Sequence, residues 1–196
     1  VLLLLFVAIP AAAGEFDQLR RDAMEIRTIQ ADFVQTKALK ILKNPLVSTG
    51  RFFYQAPGTV RWEYFTPLQV VTIVNRGEVR RYTHTDDKGW VNDSSGSVQA
   101  MRVVMEKITG WLGGNFTDDE IFLATLEDGP PVVVTMTPKD EAMARFLERV
   151  EVIFGTQPGV VETVRLYEGP GTTTTITFKE AKLNLEIPKT RFKDVE

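Results

Sequence analysis

Residues 47–65, VSTGRFFYQAPGTVRWEYF, contain the pattern that decides the fold. Apolar and polar residues alternate on both sides of Pro57-Gly58, which predicts two antiparallel strands joined by a tight turn. Successive side chains of a strand point to opposite faces, so Arg61 and Glu63 should lie on the outer face. If the hairpin pairs as expected, four large aromatic residues share the inner face: Phe52, Tyr54, Trp62 and Tyr64.

Similar short runs, separated by Gly, Pro and Asn, fill most of the chain. Before the second predicted helix they occupy residues 31–42, 47–55, 59–65, 68–75 and 78–84. After it they occupy residues 131–138, 145–155, 160–168 and 172–184. Phe33, Val70, Thr72 and Val74 could extend the aromatic face. Runs at this spacing predict an antiparallel meander.

Two amphipathic helices interrupt the strands. Residues 16–29 have apolar side chains at helical spacing, and so do residues 99–114, which end at Gly113-Gly114. Ser97 is a plausible N-cap for the second helix, and residues 117–120 resemble a capping box for a further short helix. The polar segment 86–97 is interpreted as a loop.

This order of elements predicts one α+β domain on a large antiparallel sheet. A sheet of about nine to eleven strands must curl strongly or close partly into a barrel. The helices would then cover one face or the mouth.

The N-terminal stretch VLLLLFVAIPAAAG predicts the location of the protein. A short apolar run, Pro10 and three alanines match a secretory signal peptide with its small-residue cleavage site. We therefore expect residues 1–13 to be cleaved and residues 14–196 to form the exported, soluble domain. The alternatives are a buried strand and a retained anchor.

The composition argues against several classes of function. A net charge of −3 gives no sign of a nucleic-acid surface, and the absence of cysteine excludes thiol chemistry and disulfides. His84 is the only histidine. With Asp86 and Asp87 it could form a metal site, but a solvated turn is the simpler interpretation. We expect neither an enzyme nor a cofactor or metal. The basic group Arg76, Arg80 and Arg81 is either a solvated hairpin or a docking patch, and an arginine that faces inward would need a partner.

The large apolar residues could fill an ordinary core or line an apolar cavity. A curled sheet too wide for two helices to fill would leave a cavity, and its ligand would be apolar. Methionine side chains on the second helix adapt well to irregular apolar ligands. The predicted lining consists of Phe33, Phe52, Tyr54, Trp62, Tyr64, Val70, Met101, Met105, Ile108 and Trp111.

Residues 31–67 resemble the periplasmic lipoprotein carriers of the LolA type. The resemblance rests on F-x-Q after the first helix, then S-x-G-x-F-x-Y, then a proline followed by RW and a second proline. These positions are Phe33, Gln35, Ser48, Gly50, Phe52, Tyr54, Pro57, Arg61, Trp62 and Pro67. Residues 178–192, FKEAKLNLEIPKTRF, look like the closing segment of the family.

The resemblance implies an unclosed β-barrel whose helices form a lid over a hydrophobic cavity. It also implies a monomeric periplasmic carrier of lipoprotein acyl chains or another lipid, with an inner-membrane ABC transporter as donor and an outer-membrane receptor as acceptor. The family's latch arginine, which holds the lid helices, is Ala56 here. The family's D-G-x-x-x-W-x-Y-D-P hairpin keeps only Gly77 and Tyr82. A lipid-sensing regulatory module on the same fold is the main alternative, and an enzyme centred on His84 is the third hypothesis.

Overall fold

The computed structural model describes residues 11–93, 107–115, 120–127, 129–169 and 171–195. Its helices are α1 (Ala11–Met24), α2 (residues 107–112), α3 (Glu141–Ala144) and a short 3-10 helix (Lys189–Phe192). Its strands are β1 (Thr28–Leu39), β2 (Leu46–Gln55), β3 (Thr59–Thr66), β4 (Val70–Asn75), β5 (Glu78–Thr85), β6 (Gly89–Asn92), β7 (Phe122–Glu127), β8 (Val133–Pro138), β9 (Arg149–Phe154), β10 (Val161–Tyr167) and β11 (Thr172–Leu183).

All eleven strands form one antiparallel sheet in the order β6-β5-β4-β3-β2-β1-β11-β10-β9-β8-β7. The first strand therefore joins the two halves by pairing with both β2 and β11. Strands β6 and β7 are the edges, so the curved sheet does not close. This confirms the predicted α+β class, the unclosed barrel and the upper limit of the predicted strand number.

The inner face of the sheet carries the main core in two clusters. The first lies on β1–β4 and contains the rings of Phe33, Phe52 and Trp62. The second lies on β7–β10, where Leu19 and Ala23 of α1 and Trp111 of α2 cover the strands. Helix α1 thus packs over the second half of the inner face, whereas α2 contacts both clusters through Ile108.

Gly50 allows the aromatic rings of the first cluster to pack closely. A methyl group added at Gly50 would lie 2.5 Å from the Phe33 ring and 1.9 Å from the carbonyl oxygen of Glu63. The Phe33 ring makes edge contacts with Trp62 and Tyr64 at centroid distances of 5.3 and 5.1 Å. Edge contacts of this kind stabilise aromatic clusters beyond their apolar burial.

Residues 184–195 cover part of the outer face. Ile187 and Phe192 pack on Phe53, and Asp194 accepts hydrogen bonds from Arg80 and from the hydroxyl of Tyr82. The side chain of Asn184 anchors the start of this segment, because its Oδ1 accepts a hydrogen bond from the amide of Arg27 at 2.6 Å.

Several elements differ from the sequence predictions. The strand expected over residues 145–155 covers only Arg149–Phe154, and α1 is already helical at Ala11 rather than from residue 16. Helix α1 ends at Met24 rather than at Ile29, because residues 28–30 pair with β2, and residues 29 and 30 also pair with β11. Residues 89–92, which were expected in a loop, form β6 against β5. Residues 122–127, which were not predicted as a strand, pair with β8 as β7. Ser97 and residues 117–119 lie outside the described residues.

Within the part of the chain that the structure describes, none of the helices combines the length and the apolar character needed to cross a membrane.

Candidate functional site

A cavity of about 350 Å³ lies on the inner face of the sheet, between the strands and α2. Strands β9, β10 and β11 form one wall of the cavity, and α2 lies on one side of it. Met143 and Leu147 form another part of the lining. Its apolar lining consists of Trp62, Ile108, Trp111, Leu112, Ile121, Phe122, Met143, Leu147, Val150, Val152, Val161, Val164, Leu166, Ile176 and Phe178. A space with this lining favours an apolar ligand.

The regular alternation of the strands produces this wall. Val150 and Val152 on β9 lie directly opposite Leu166 and Val164 on β10, and Val164 lies opposite Ile176 on β11. The neighbouring residues of each strand point to the outer face. The apolar wall of the cavity therefore consists of the inward-facing residues of three adjacent strands.

The polar lining is concentrated where β1 and β11 approach the β10–β11 turn. Lys37 pairs in register with Thr174, and its Nζ lies 3.2 Å from Oε1 of Glu168. The Thr174 hydroxyl donates a second hydrogen bond to Glu168. This cluster gives the cavity one polar end.

Tyr64 and Trp62 both line the cavity, and each combines an apolar ring with a polar group. The Tyr64 hydroxyl donates a hydrogen bond to Oε1 of Gln35 at 2.9 Å. Burial raises the pKa of Tyr64 to about 12, against the opposing effects of Arg81 and of the nearby Trp62 N–H. That indole N–H is buried and has no hydrogen-bond partner in acceptable geometry. A ligand oxygen could accept from it once the neighbouring side chains move, because the nitrogen is closed to the cavity in this structure.

The structure places the predicted lining residues in four positions. Trp62, Tyr64, Ile108 and Trp111 line the cavity. Phe33, Phe52 and Tyr54 are buried in the first core cluster. Val70 borders a separate depression between Tyr64 and Arg81. Met101 and Met105 lie outside the described residues.

Most of the cavity wall was not among the residues predicted from the sequence. The wall is formed by β9–β11, by Met143 of α3 and by Leu147, three residues after α3. The alternation in RVEVIF and VETVRLY identified strands and an apolar face. It did not indicate which part of that face remains uncovered.

Ala56 lies at the turn between β2 and β3. Its amide donates a hydrogen bond to the carbonyl oxygen of Arg27 at 2.8 Å, and its methyl group packs against the first core cluster. The Tyr54 hydroxyl lies near Gly113 at the end of α2, 3.8 Å from where a methyl group at Gly113 would be. Burial raises the pKa of Tyr54, against the opposing charge of Arg27.

Arg80, Arg81 and His84, three of the polar groups singled out in the sequence, have structural partners, although the Nε atoms of the two arginines are buried without a hydrogen-bond partner in the described part of the chain. Arg81 faces inward and binds Asp93 at 2.8 Å, as an inward arginine requires. Arg80 faces outward and binds Asp194. His84 packs edge-on against Trp90. Among the described residues there is no group of acidic or histidine side chains that could hold a metal ion.

Comparisons with known proteins agree with this architecture. The family described as outer membrane lipoprotein carrier protein LolA matches residues 24–194. An outer-membrane lipoprotein carrier protein of Dechloromonas aromatica is 28% identical over 191 residues, which cover 93% of this chain and 84% of that protein.

Two solved structures show the fold alone. An uncharacterized conserved protein from Thermus thermophilus is 10% identical with a TM-score of 0.56, and the match covers 95% of both chains. MucB in the Pseudomonas aeruginosa MucA/MucB complex is 13% identical with a TM-score of 0.50; the match covers 95% of this chain and 62% of that one. Because the family match spans most of its length, the chain belongs to the outer membrane lipoprotein carrier protein family, LolA.

Proposed function

We propose that the protein is a periplasmic carrier that holds an acyl chain of a lipoprotein, or of another lipid, and moves it from the inner to the outer membrane. The observation that carries this proposal is the apolar cavity between the β9–β11 wall and α2. Membership of the carrier family and the apolar N-terminal stretch, which resembles a secretory signal, support it.

The cavity has the capacity for one chain of moderate length. A methylene group takes roughly the 30 Å³ that a water molecule occupies in the liquid, so about a dozen fit into the cavity. Each one removed from water contributes about 0.8 kcal/mol. The costs of association offset part of this gain, which suits a protein that must also release its cargo.

The polar end suits the linkage of such a lipid. An acyl chain ends in a carbonyl or carboxyl group, which accepts hydrogen bonds. The unpaired Trp62 N–H is buried beside the Tyr64 hydroxyl, and both residues line the cavity. The chain would extend from there towards Val150 and Val152.

The proposal extends to the partners and the assembly state. A carrier between two membranes needs a donor and an acceptor. For this family those are an inner-membrane ABC transporter and an outer-membrane receptor, and the carrier acts as a monomer without enzymatic activity or cofactor.

Uptake of a fluorescent fatty acid by the purified protein tests the proposal. Val164→Glu places a carboxylate in the cavity wall, whereas Thr163→Glu places the same group on the outer face of the same strand. We expect Val164→Glu to abolish uptake, because burying a charge in an apolar cavity is costly, and Thr163→Glu to preserve it. Equal uptake by both variants, or none by the wild-type protein, would exclude a carrier role for this cavity.

A lipid-sensing regulatory module is the second candidate, favoured by the fold shared with MucB. Transfer of a radiolabelled lipid between two populations of vesicles separates the two. A carrier raises the transfer rate in proportion to its concentration, whereas a sensor retains the lipid and instead forms a stable complex with a membrane-bound signalling protein.

A further inference from the structure

One end of the sheet exposes several large apolar side chains. The loop between β1 and β2 and the turn between β3 and β4 are both at this end, and every residue from 40 to 47 and from 65 to 69 is exposed. Ile41 is 89% exposed and Leu68 is 63% exposed. The exposed large apolar residues here are Ile41, Leu42, Leu46, Val47, Phe65 and Leu68.

The β1–β2 hairpin projects beyond its neighbour on one side. Strand β2 pairs with β1 from Leu46 onwards, but its pairing with β3 begins only at Thr49, opposite Thr66. At about 3.3 Å per residue, the hairpin extends roughly 10 Å past that last pair. The hydroxyl oxygens of Thr49 and Thr66 are 2.8 Å apart, so the β3–β4 turn is held against the side of the hairpin.

This surface is basic although the protein as a whole is acidic. Lys40 and Lys43 flank the apolar tip, and neither has an ion-pair partner in the described parts of the chain. No aspartate or glutamate occurs in residues 33–50 or 64–75. Asp86 and Asp87 of the β5–β6 turn lie at the same end of the sheet, but on the far side of the β3–β4 turn from the two lysines. The local charge therefore favours an anionic partner.

The surface lies at the polar end of the cavity. Leu46 pairs in register with Lys37, which lines the cavity and binds Glu168. A partner that covers the hairpin would therefore meet the end of the cavity where the polar group of a ligand is expected.

We propose that Lys40–Val47 and Phe65–Leu68, here called the hairpin surface, dock onto an anionic lipid bilayer. Exposed apolar side chains enter the boundary between headgroups and acyl chains, while lysines at the edge bind lipid phosphates. A protein partner fits less well, because protein interfaces are depleted in lysine. The surface would bring the cavity to the membrane for loading or delivery.

Co-sedimentation with vesicles tests the proposal directly. The vesicles contain phosphatidylethanolamine, with or without a third of phosphatidylglycerol. We expect the wild-type protein to bind the anionic vesicles more tightly, and added salt to weaken that binding. Lys40→Gln with Lys43→Gln should lower the affinity by about 30-fold, since each lysine near an anionic surface contributes about 1 kcal/mol.

Ile41→Ser with Leu42→Ser should also lower the affinity, on neutral and anionic vesicles alike. The matched control is Lys182→Gln with Leu185→Ser, which removes an exposed lysine and a 52% exposed leucine from the opposite end of the sheet and should have no effect. Circular dichroism confirms that each variant is folded.

Three results would overturn the inference: no binding to anionic vesicles, no preference over neutral vesicles, or an equal loss in the control variant. Binding only to vesicles that contain a membrane protein would also overturn it, in favour of a protein partner. Uptake of fatty acid without vesicles reports on the cavity alone, so failure of the proposed function is distinguishable from failure of docking.

Discussion

The capacity of the cavity predicts how affinity depends on the length of the acyl chain. Each added methylene should tighten binding about fourfold, because about 0.8 kcal/mol is gained per group until the space is filled. A cavity of about 350 Å³ holds about a dozen groups at roughly 30 Å³ each. Affinity should therefore rise steadily for short chains and level off near twelve methylenes.

The substitution Val164→Trp should shorten the acyl chain length at which affinity levels off. Val164 lies in the middle of the β9–β11 wall, opposite Val152 and Ile176. The larger side chain fills about the volume of three methylene groups, so the plateau should move to about nine. The maximal affinity should then fall by roughly 60-fold, which is three successive fourfold losses.

Displacement of a fluorescent fatty acid by a series of saturated lysophospholipids measures both effects. Thr163→Trp, on the outer face of the same strand, is the control and should leave the plateau where it is. The reasoning is refuted if affinity keeps rising well beyond a dozen methylenes, if it is independent of length, or if both tryptophan variants behave alike.

Three further predictions concern the helices, pH and the polar group of the ligand. Gly159→Ala should release α1, because the new methyl group would lie 2.5 Å from the backbone nitrogen of Ala23; faster hydrogen exchange in α1 would show this. Gly77→Ala carries the same backbone strain without any contact and should leave α1 protected. The pKa of Tyr64, raised by burial from 10 to about 12, means that the folded state keeps a proton that the unfolded state loses. Unfolding free energy should therefore fall between pH 10 and pH 12, by at most about 3 kcal/mol, and Tyr64→Phe should flatten that fall in pH-dependent denaturation. Trp62→Phe should remove a preference of about fivefold for an ester lipid over the matched ether. Trp90→Phe, a control at a half-buried residue away from the cavity, should retain it. An unchanged preference in Trp62→Phe would exclude the indole N–H as donor.

The sequence was sufficient to predict the sheet where short turns determine the register. The tight turn at Pro57-Gly58 places Phe52 directly opposite Trp62. Trp62 in turn lies opposite Thr72 on the next strand, so all three side chains point to the same face of the sheet. Pairings between strands that are adjacent in sequence can be predicted from the turn residues and from the alternation of apolar and polar side chains alone. The two unpredicted strands, β6 and β7, are the edges of the sheet, where one partner is missing and the pattern is weakest.

The sequence could not separate packed residues from lining residues, because that distinction depends on distant partners. The Phe52 ring is buried partly by Phe178, whose centroid lies 5.5 Å away. Phe178 belongs to the last strand, and nothing in the local alternation indicates that it reaches this ring.

The sequence also could not show that part of the outer face of the sheet is covered. Glu63 points outward as predicted, yet it is nearly buried with Arg61, whose guanidinium also donates to the carbonyl oxygen of Lys193.

In the proposed carrier, the contacts of the helices would allow uptake and release to be balanced without an arginine at position 56. Helix α1 is held by Leu19 and Ala23 in the second core cluster, together with Trp111 of α2. Trp111 also lines the cavity. An acyl chain in the cavity would therefore add apolar contacts to a side chain of the cluster that also contains Leu19 and Ala23 of α1. Binding would stabilise the covered state, and release would require those contacts to be exchanged for others. Because a bilayer offers acyl contacts of the same kind, the helices can open there at a lower cost than in water.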